Sequence, residues 1–265
     1  MAALIVIDPG HGGADPGASG NGLKEKDITL SIAKRVAKHL ENMGVNVCLT
    51  RSDDNVFSSD KAADLKARAE FANRLDADYF ISIHINAGGG TGFESYVAKS
   101  AANQEAGRCQ HIVHSEVASV FTNAGLPDRG EKTANFAVLR QTSMPAILLE
   151  FGFVDYAKDV AQLKNPEFLN AVAEAVARGT ARALHVENPA PSLPASSTKP
   201  ISKYYKDILP GLEWAGESVD KLYEFGIMRG DGQGAFRPTD TMTRLEAAVA
   251  IHNTIEYLLK KSGTS

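Results

Sequence analysis

Leu4-Ile5-Val6-Ile7-Asp8-Pro9-Gly10-His11-Gly12-Gly13 is a short apolar run that breaks into a turn ending on an imidazole. Leu4–Ile7 has the length and β-branched content of a buried strand. The Pro and Gly residues that follow supply a turn of permissive backbone. Open α/β sheets form their ligand sites outside the carboxyl ends of strands. A histidine just past such an end therefore marks both a fold class and a place for chemistry.

Outward from this strand the pattern alternates. Ile28, Ile32, Val36 and Leu40 share one face of a helix over about 28–43, with Gly44 as its C-terminal stop. Strands are expected at Val45–Thr50, Tyr79–Ile85, Phe93–Val97, Phe136–Arg140 and Ala146–Phe151. Leu65, Ala69, Ala72 and Leu75 mark a second helix, and Gln104–Asn123 a third. Asn165-Pro166-Glu167 reads as N-cap, first helical residue and first-turn acid of a helix reaching about Leu184. Strands alternating with helices predict an α/β fold: a mixed, mostly parallel sheet flanked by helices, plus a small helical C-terminal module. Residues 187–202, rich in Pro, Ser and small side chains, read as a linker between a domain at 1–186 and a module at 203–265.

Composition narrows the function classes. The hydrophobic fraction of 43% suits a packed core, and a net charge of -4 without a Lys/Arg stripe argues against nucleic acid. Two cysteines, Cys48 and Cys109, cannot form a disulfide framework and read as small buried apolar groups. No apolar stretch approaches the roughly 18 residues of a membrane span. The opening run lacks the basic region of a signal peptide. The expectation is synthesis in the cytoplasm and action elsewhere only after release.

Four metal-competent side chains fall on one rim of the expected sheet. His11 follows the first strand, His84 and Glu150 lie near the carboxyl ends of theirs, and Glu25 precedes the first helix. Two imidazoles and a carboxylate can hold Zn²⁺ with a fourth position open, and a further carboxylate can carry a proton. The residues alone leave another reading open. A strand-end histidine is often only hydrogen-bonded, Asp8-Pro9-Gly10 can be a plain tight turn, and an acid before a helix can serve its dipole. His111 and His114, three apart on a helix, read as a solvated face, and His39, His185 and His252 receive no role.

Ile7-Asp8-Pro9-Gly10-His11-Gly12-Gly13 with Glu25-Lys26 resembles the opening of the zinc-dependent type 3 N-acetylmuramoyl-L-alanine amidases. Ser82-Ile83-His84-Ile85-Asn86-Ala87 is similar to that family's second signature. Val138-Leu139-Arg140 and Pro145-Ala146-Ile147-Leu148-Leu149-Glu150-Phe151-Gly152-Phe153 are similar to its third, and Arg68 with Ala72-Asn73 also fits. The resemblance spans roughly residues 1–185. It implies that His11, Glu25 and His84 bind zinc and that Glu150 is the catalytic carboxylate. The implied reaction is hydrolysis of the amide joining N-acetylmuramic acid to L-alanine in peptidoglycan. Arg140 either orients a substrate carbonyl or carboxylate or is an exposed strand-end residue. Asp155-Tyr156 departs from the family's usual Ser-Asn and bears on a local loop. Two rival readings are a non-catalytic wall-binding protein on the same fold and a zinc peptidase cutting within the stem peptide.

Tyr205-Lys206-Asp207-Ile208, Phe225-Gly226-Ile227-Met228, Gly230–Pro238 and Thr243-Arg244-Leu245-Glu246 are similar in order to a surface-layer homology module. Such modules attach proteins to secondary cell-wall polysaccharide, and Arg244 is the residue suited to an anionic sugar. Trp214, Phe225 and Phe236 read as core, and Thr243-x-x-Glu246 as a capping box. A single module binds weakly, which makes self-association through this region an expectation. The two-part plan suits a phage endolysin, and equally a host autolysin released on mother-cell lysis.

Overall fold

The computed structural model describes residues 3–102, 104–186, 202–206, 213–230, 234–236 and 244–262. It divides into two compact units, residues 1–189 and 190–265. The expected linker at 187–202 lies almost wholly outside the described residues.

The first unit runs β1 (Leu4–Pro9), β2 (Ser19–Gly20), β3 (Leu23–Lys24), α1 (Glu25–Asn42), β4 (Asn46–Leu49), α2 (Lys61–Arg74), β5 (Tyr79–Asn86) and β6 (Phe93–Ala98). It continues through α3 (Glu105–Asn123), β7 (Asp128–Ala134), α4 (Ala137–Gln141), β8 (Ala146–Phe153), α5 (Ala157–Leu163) and α6 (Pro166–Ala183). Six strands form one sheet in the order β4-β1-β5-β8-β6-β7. All neighbours are parallel except β6 and β8, so the sheet is mixed and mostly parallel as the alternation predicts.

Alternation along each strand separates two apolar layers. Ile5, Ile7, Ile81, Ile83, Ile147 and Leu149 join the buried faces of α1, α3 and α6 in the larger core. Val6, Phe80 and Leu148 face the other way and pack with Ala72 of α2 and Val138 and Leu139 of α4. On this second face Asp8 follows Val6, His84 follows Phe80 and Ser82, and Glu150 follows Leu148. The chemistry therefore begins where the α2/α4 layer ends. Asn165 caps α6 as its sequence predicts, its side chain accepting from Glu167 N at 3.0 Å.

Two sequence expectations fail here. Phe136–Arg140 is not a strand: residues 137–141 are α4, because Val138 and Leu139 both bury against α2, which adjacent positions of a strand cannot do. The sixth strand is instead Asp128–Ala134, whose alternating half-buried and exposed polar residues carry no apolar signal at the sheet edge. Arg140 is thus an exposed residue of a short helix, without a side-chain hydrogen bond or ion pair among the described residues. Of the cysteines, Cys109 is buried but Cys48 is half-buried.

The second unit contains α7 (Glu213–Glu224) and α8 (Arg244–Ser262). Tyr205 and Val219 form a small buried cluster with Tyr204 and Phe236 against it. Phe225, expected in the core, is 41% exposed and stacks on Tyr257. The side chains of Trp214 and Arg244, and Thr243 of the expected capping box, lie outside the described residues.

Candidate metal centre and its surroundings

The His11 loop is held from beneath by a buried polar network. Asp8 sits at the end of β1 and is 1% exposed. Its Oδ1 accepts from Thr50 Oγ1 (2.6 Å) and Arg68 Nη1 (2.9 Å), and its Oδ2 from Ser82 Oγ (2.8 Å). Burial would raise the Asp8 pKa, but Arg68 and these hydrogen bonds win and hold it below the ordinary value. Arg68 also donates to the carbonyls of Pro9 (2.8 Å) and His11 (2.8 Å) and pairs with Asp64. Arg51 donates to the carbonyls of Pro9, Gly10 and Lys26. Two arginines thus fix the turn in which His11 adopts φ 62°, a region costly for a residue with a Cβ.

Above this network the rim residues converge. His11 Nε2 lies 3.1 Å from Glu25 Oε2, and His84 Nδ1 2.9 Å from Glu25 Oε1. The two imidazole rings meet edge to face with centroids 5.1 Å apart. One ligand atom from each of His11, Glu25 and His84 lies within 4.8 Å of the others. Glu25, at the first turn of α1, is further oriented by the backbone N–H groups of Ala18 (2.7 Å) and Ile85 (2.9 Å). Burial opposes its ionisation, yet hydrogen bonds from His11 and His84 hold its pKa far below the usual carboxylate range. Burial likewise lowers the His11 pKa, but Glu25 and Asp15 outweigh it and leave the value raised. Asp15 Oδ2 engages His11 Nδ1 at 2.8 Å, which leaves Nε2 for the centre. Glycine is required next to these rings: a Cβ on Gly10 would lie 2.4 Å from His84 Cε1. A cleft of about 310 Å³ opens beside His11 and His84, walled by Ser58, Lys61 and Leu65.

Glu150 stands one strand from His84, its direct partner in the β5–β8 register. Its Oε2 is buried without a hydrogen-bond partner, one of three such atoms among the described residues, with Tyr79 Oη and Thr180 Oγ1. Burial, then the charges of Glu25 and Glu94, push the Glu150 pKa well above the ordinary value. An orphaned carboxylate oxygen beside a two-histidine, one-carboxylate cluster fits a hard or borderline cation nearby, and so does the donor set itself.

The remaining histidines fall elsewhere. His111 is exposed and pairs with Glu131. His114, expected on a solvated face, is buried between Ser95 Oγ (2.8 Å) and Asp128 Oδ1 (2.9 Å). With Ser95 fully buried, this Ser–His–Asp alignment has no access to substrate. Asp155, where the sequence departs from the pattern it resembles, accepts from the N–H groups of Gly88 (2.8 Å) and Gly89 (2.9 Å) and so pins the loop after β5. Reading by sequence missed the roles of Asp8 and Arg51. The signal for Asp8 was its place on the Val6 face, where a buried carboxylate requires a cation.

Fold and site together define a class: a mixed α/β protein with a metal-competent His/Glu/His centre on the carboxyl rim of its sheet. Residues 5–182 match the family model described as N-acetylmuramoyl-L-alanine amidase, and residues 204–248 that of the S-layer homology domain. The chain belongs to the N-acetylmuramoyl-L-alanine amidase family. It is 45% identical over 185 residues to the sporulation-specific N-acetylmuramoyl-L-alanine amidase of Bacillus subtilis, covering 69% of each chain. It is 42% identical over 229 residues to the endolysin of Bacillus phage SPP1, covering 83% of this chain and 82% of that one. Among solved structures, the catalytic domain of the amidase CwlV from Bacillus (Paenibacillus) polymyxa superposes with a TM-score of 0.63 at 37% identity, over 70% of this chain and 99% of that one.

Proposed function

We propose that the chain is a zinc-dependent peptidoglycan hydrolase that cleaves the amide between N-acetylmuramic acid and the L-alanine of the stem peptide. The observation that carries this reading is the His11/Glu25/His84 cluster with the unpartnered Glu150 Oε2 beside it. His11, Glu25 and His84 would hold the ion, and Zn²⁺ bound there supplies Lewis acidity to the scissile carbonyl and acidifies water. Glu150 accepts the proton of the attacking water and returns it to the leaving amine of L-alanine. Burial, then the charges of Glu25 and Glu94, hold its pKa above the ordinary carboxylate value. Arg68 and Arg51 keep the His11 turn in its strained conformation while this happens. Arg140, exposed on α4, either orients a substrate carbonyl or carboxylate or is only a surface residue of that helix.

Residues 203–265 would tether the enzyme to secondary cell-wall polysaccharide through Arg244, with self-association strengthening a weak single module. The likeness to the phage SPP1 endolysin supports a lytic role in which protein made in the host cytoplasm reaches the wall after release. Mass spectrometry of digested wall fragments, with metal analysis of the same sample, tests the reading. Free L-alanyl amino groups and one zinc per chain are expected. Exposure of a later stem residue instead would identify a stem peptidase, and intact walls a binding protein.

A further inference from the structure

Beyond Glu150 the same face of the sheet carries a second charged cluster that the hydrolytic reaction does not use. Glu94 of β6 is the antiparallel register partner of Glu150, which is in turn the partner of His84. Register partners point to one face, so His84, Glu150 and Glu94 form a row across three strands. Glu94 is 3% exposed and fully engaged. Its Oε1 accepts from Asn86 Nδ2 (2.7 Å) and Tyr96 Oη (2.7 Å). Its Oε2 accepts from Arg129 Nε (2.7 Å) and from Lys132 Nζ.

One carboxylate therefore anchors two cations, and the cluster keeps a net charge of +1. Arg129 spends only its Nε on Glu94, while its Nη1 and Nη2 donate to nothing else among the described residues. Its guanidinium carbon lies over the Phe153 ring, 5.0 Å from the centroid. The Arg129 and Lys132 side chains are 34% and 35% exposed, so they are buttressed from below and open above. A planar fork with free donors beside a second ammonium is the geometry that recognises a carboxylate.

We infer that Arg129 and Lys132, held by Glu94, form a subsite for a carboxylate of the stem peptide, close to the second residue. The inference rests on the amidase reading, and distance supports it. Strands lie about 4.8 Å apart, which puts Glu94 roughly 10 Å along the row from His84. An extended peptide advances about 3.4 Å per residue, so a carboxylate two to three residues past the scissile amide reaches this point. The subsite distinguishes a stem peptide bearing a free α-carboxylate at its second residue from one amidated there.

The test uses two N-acetylmuramoyl tripeptides, alike except for an α-carboxylate or an α-carboxamide on the second residue. Their binding to full-length E150Q is measured by titration calorimetry. The carboxylate form is expected to bind about tenfold more tightly, as suits hydrogen bonds to a charged group. Adding R129Q and K132Q together should bring the ratio to about one. Each alone should cut it about threefold, so the singles decide if the double variant fails to fold. The preference should also narrow as salt rises. Equal binding of both peptides, a ratio unmoved by these substitutions, or no binding at all would each overturn the subsite. Failure of the amidase reading shows separately, as wild-type protein that releases no L-alanyl amino group.

Discussion

The two units solve the problem of order differently. In residues 1–189, fully buried Ile, Val, Leu and Phe side chains from both sheet faces and five helices surround the polar network of Asp8, Arg68 and Ser82. In residues 190–265 the described cluster is Tyr205 and Val219, while Val249, Ile251, Ile255, Leu258 and Leu259 of α8 are between 44% and 62% exposed. Only a large core can hold charged groups at fixed distances without water, because each buried charge needs partners that packing keeps in place. The first unit can therefore position a reaction, whereas the second is suited to present a surface.

The sharpest way to break this contrast is to remove the metal. Chelation is expected to abolish wall lysis, with added Zn²⁺ restoring it and the fold of residues 1–189 surviving by circular dichroism. Full turnover in a demonstrably metal-free sample would refute zinc dependence. Next in size is E150Q, for which a turnover loss of about 10²–10⁴ with zinc content unchanged is expected. Wall lysis at the wild-type rate would remove Glu150 from the mechanism.

Asp8 tests whether the buried network, and not only the apolar core, sustains the first unit. D8N strips Arg68 of one charged partner and is expected to destabilise by about 3 kcal/mol in denaturant melts. The sign with pH follows from the lowered folded-state pKa of Asp8. Its stabilisation is complete above the unfolded value near 4 and fades as pH falls through the folded value. Acid titration of D8N should lack that part of the decline, and an identical acid limb in both proteins would show that Asp8 is not a source of stability. D15A removes the group orienting His11 Nδ1 and is expected to weaken zinc affinity about 10–100-fold, read by competition with a chromophoric chelator.

The smallest effect concerns the second unit. A chain ending at Val186 is expected to cleave soluble muropeptides at the full-length rate and to act more slowly only on intact walls, where tethering raises local concentration. A large loss on soluble fragments would mean that residues 203–265 contribute to catalysis, and the division between the units would fall.

The sequence by itself determined most of the alternation of strands and helices, and the placing of His11 just past the first strand and of His84 and Glu150 toward the carboxyl ends of theirs. Each rests on short-range regularities: apolar period, caps and breakers. The sequence pattern starts the first helix near residue 28, whereas Glu25 is the first residue of α1. It failed at β7, where an edge strand of polar residues has no apolar period, and at α4, where adjacent Val138 and Leu139 read as strand until α2 is present to bury both. Tertiary structure alone decided that Asp8 and Arg68, 60 positions apart, share a buried ion pair, that His114 is enclosed, and that Glu94 lines up with Glu150. These pairings depend on strand order and register. A crossover brings distant segments together through packing of whole layers, and no local window of residues contains that information.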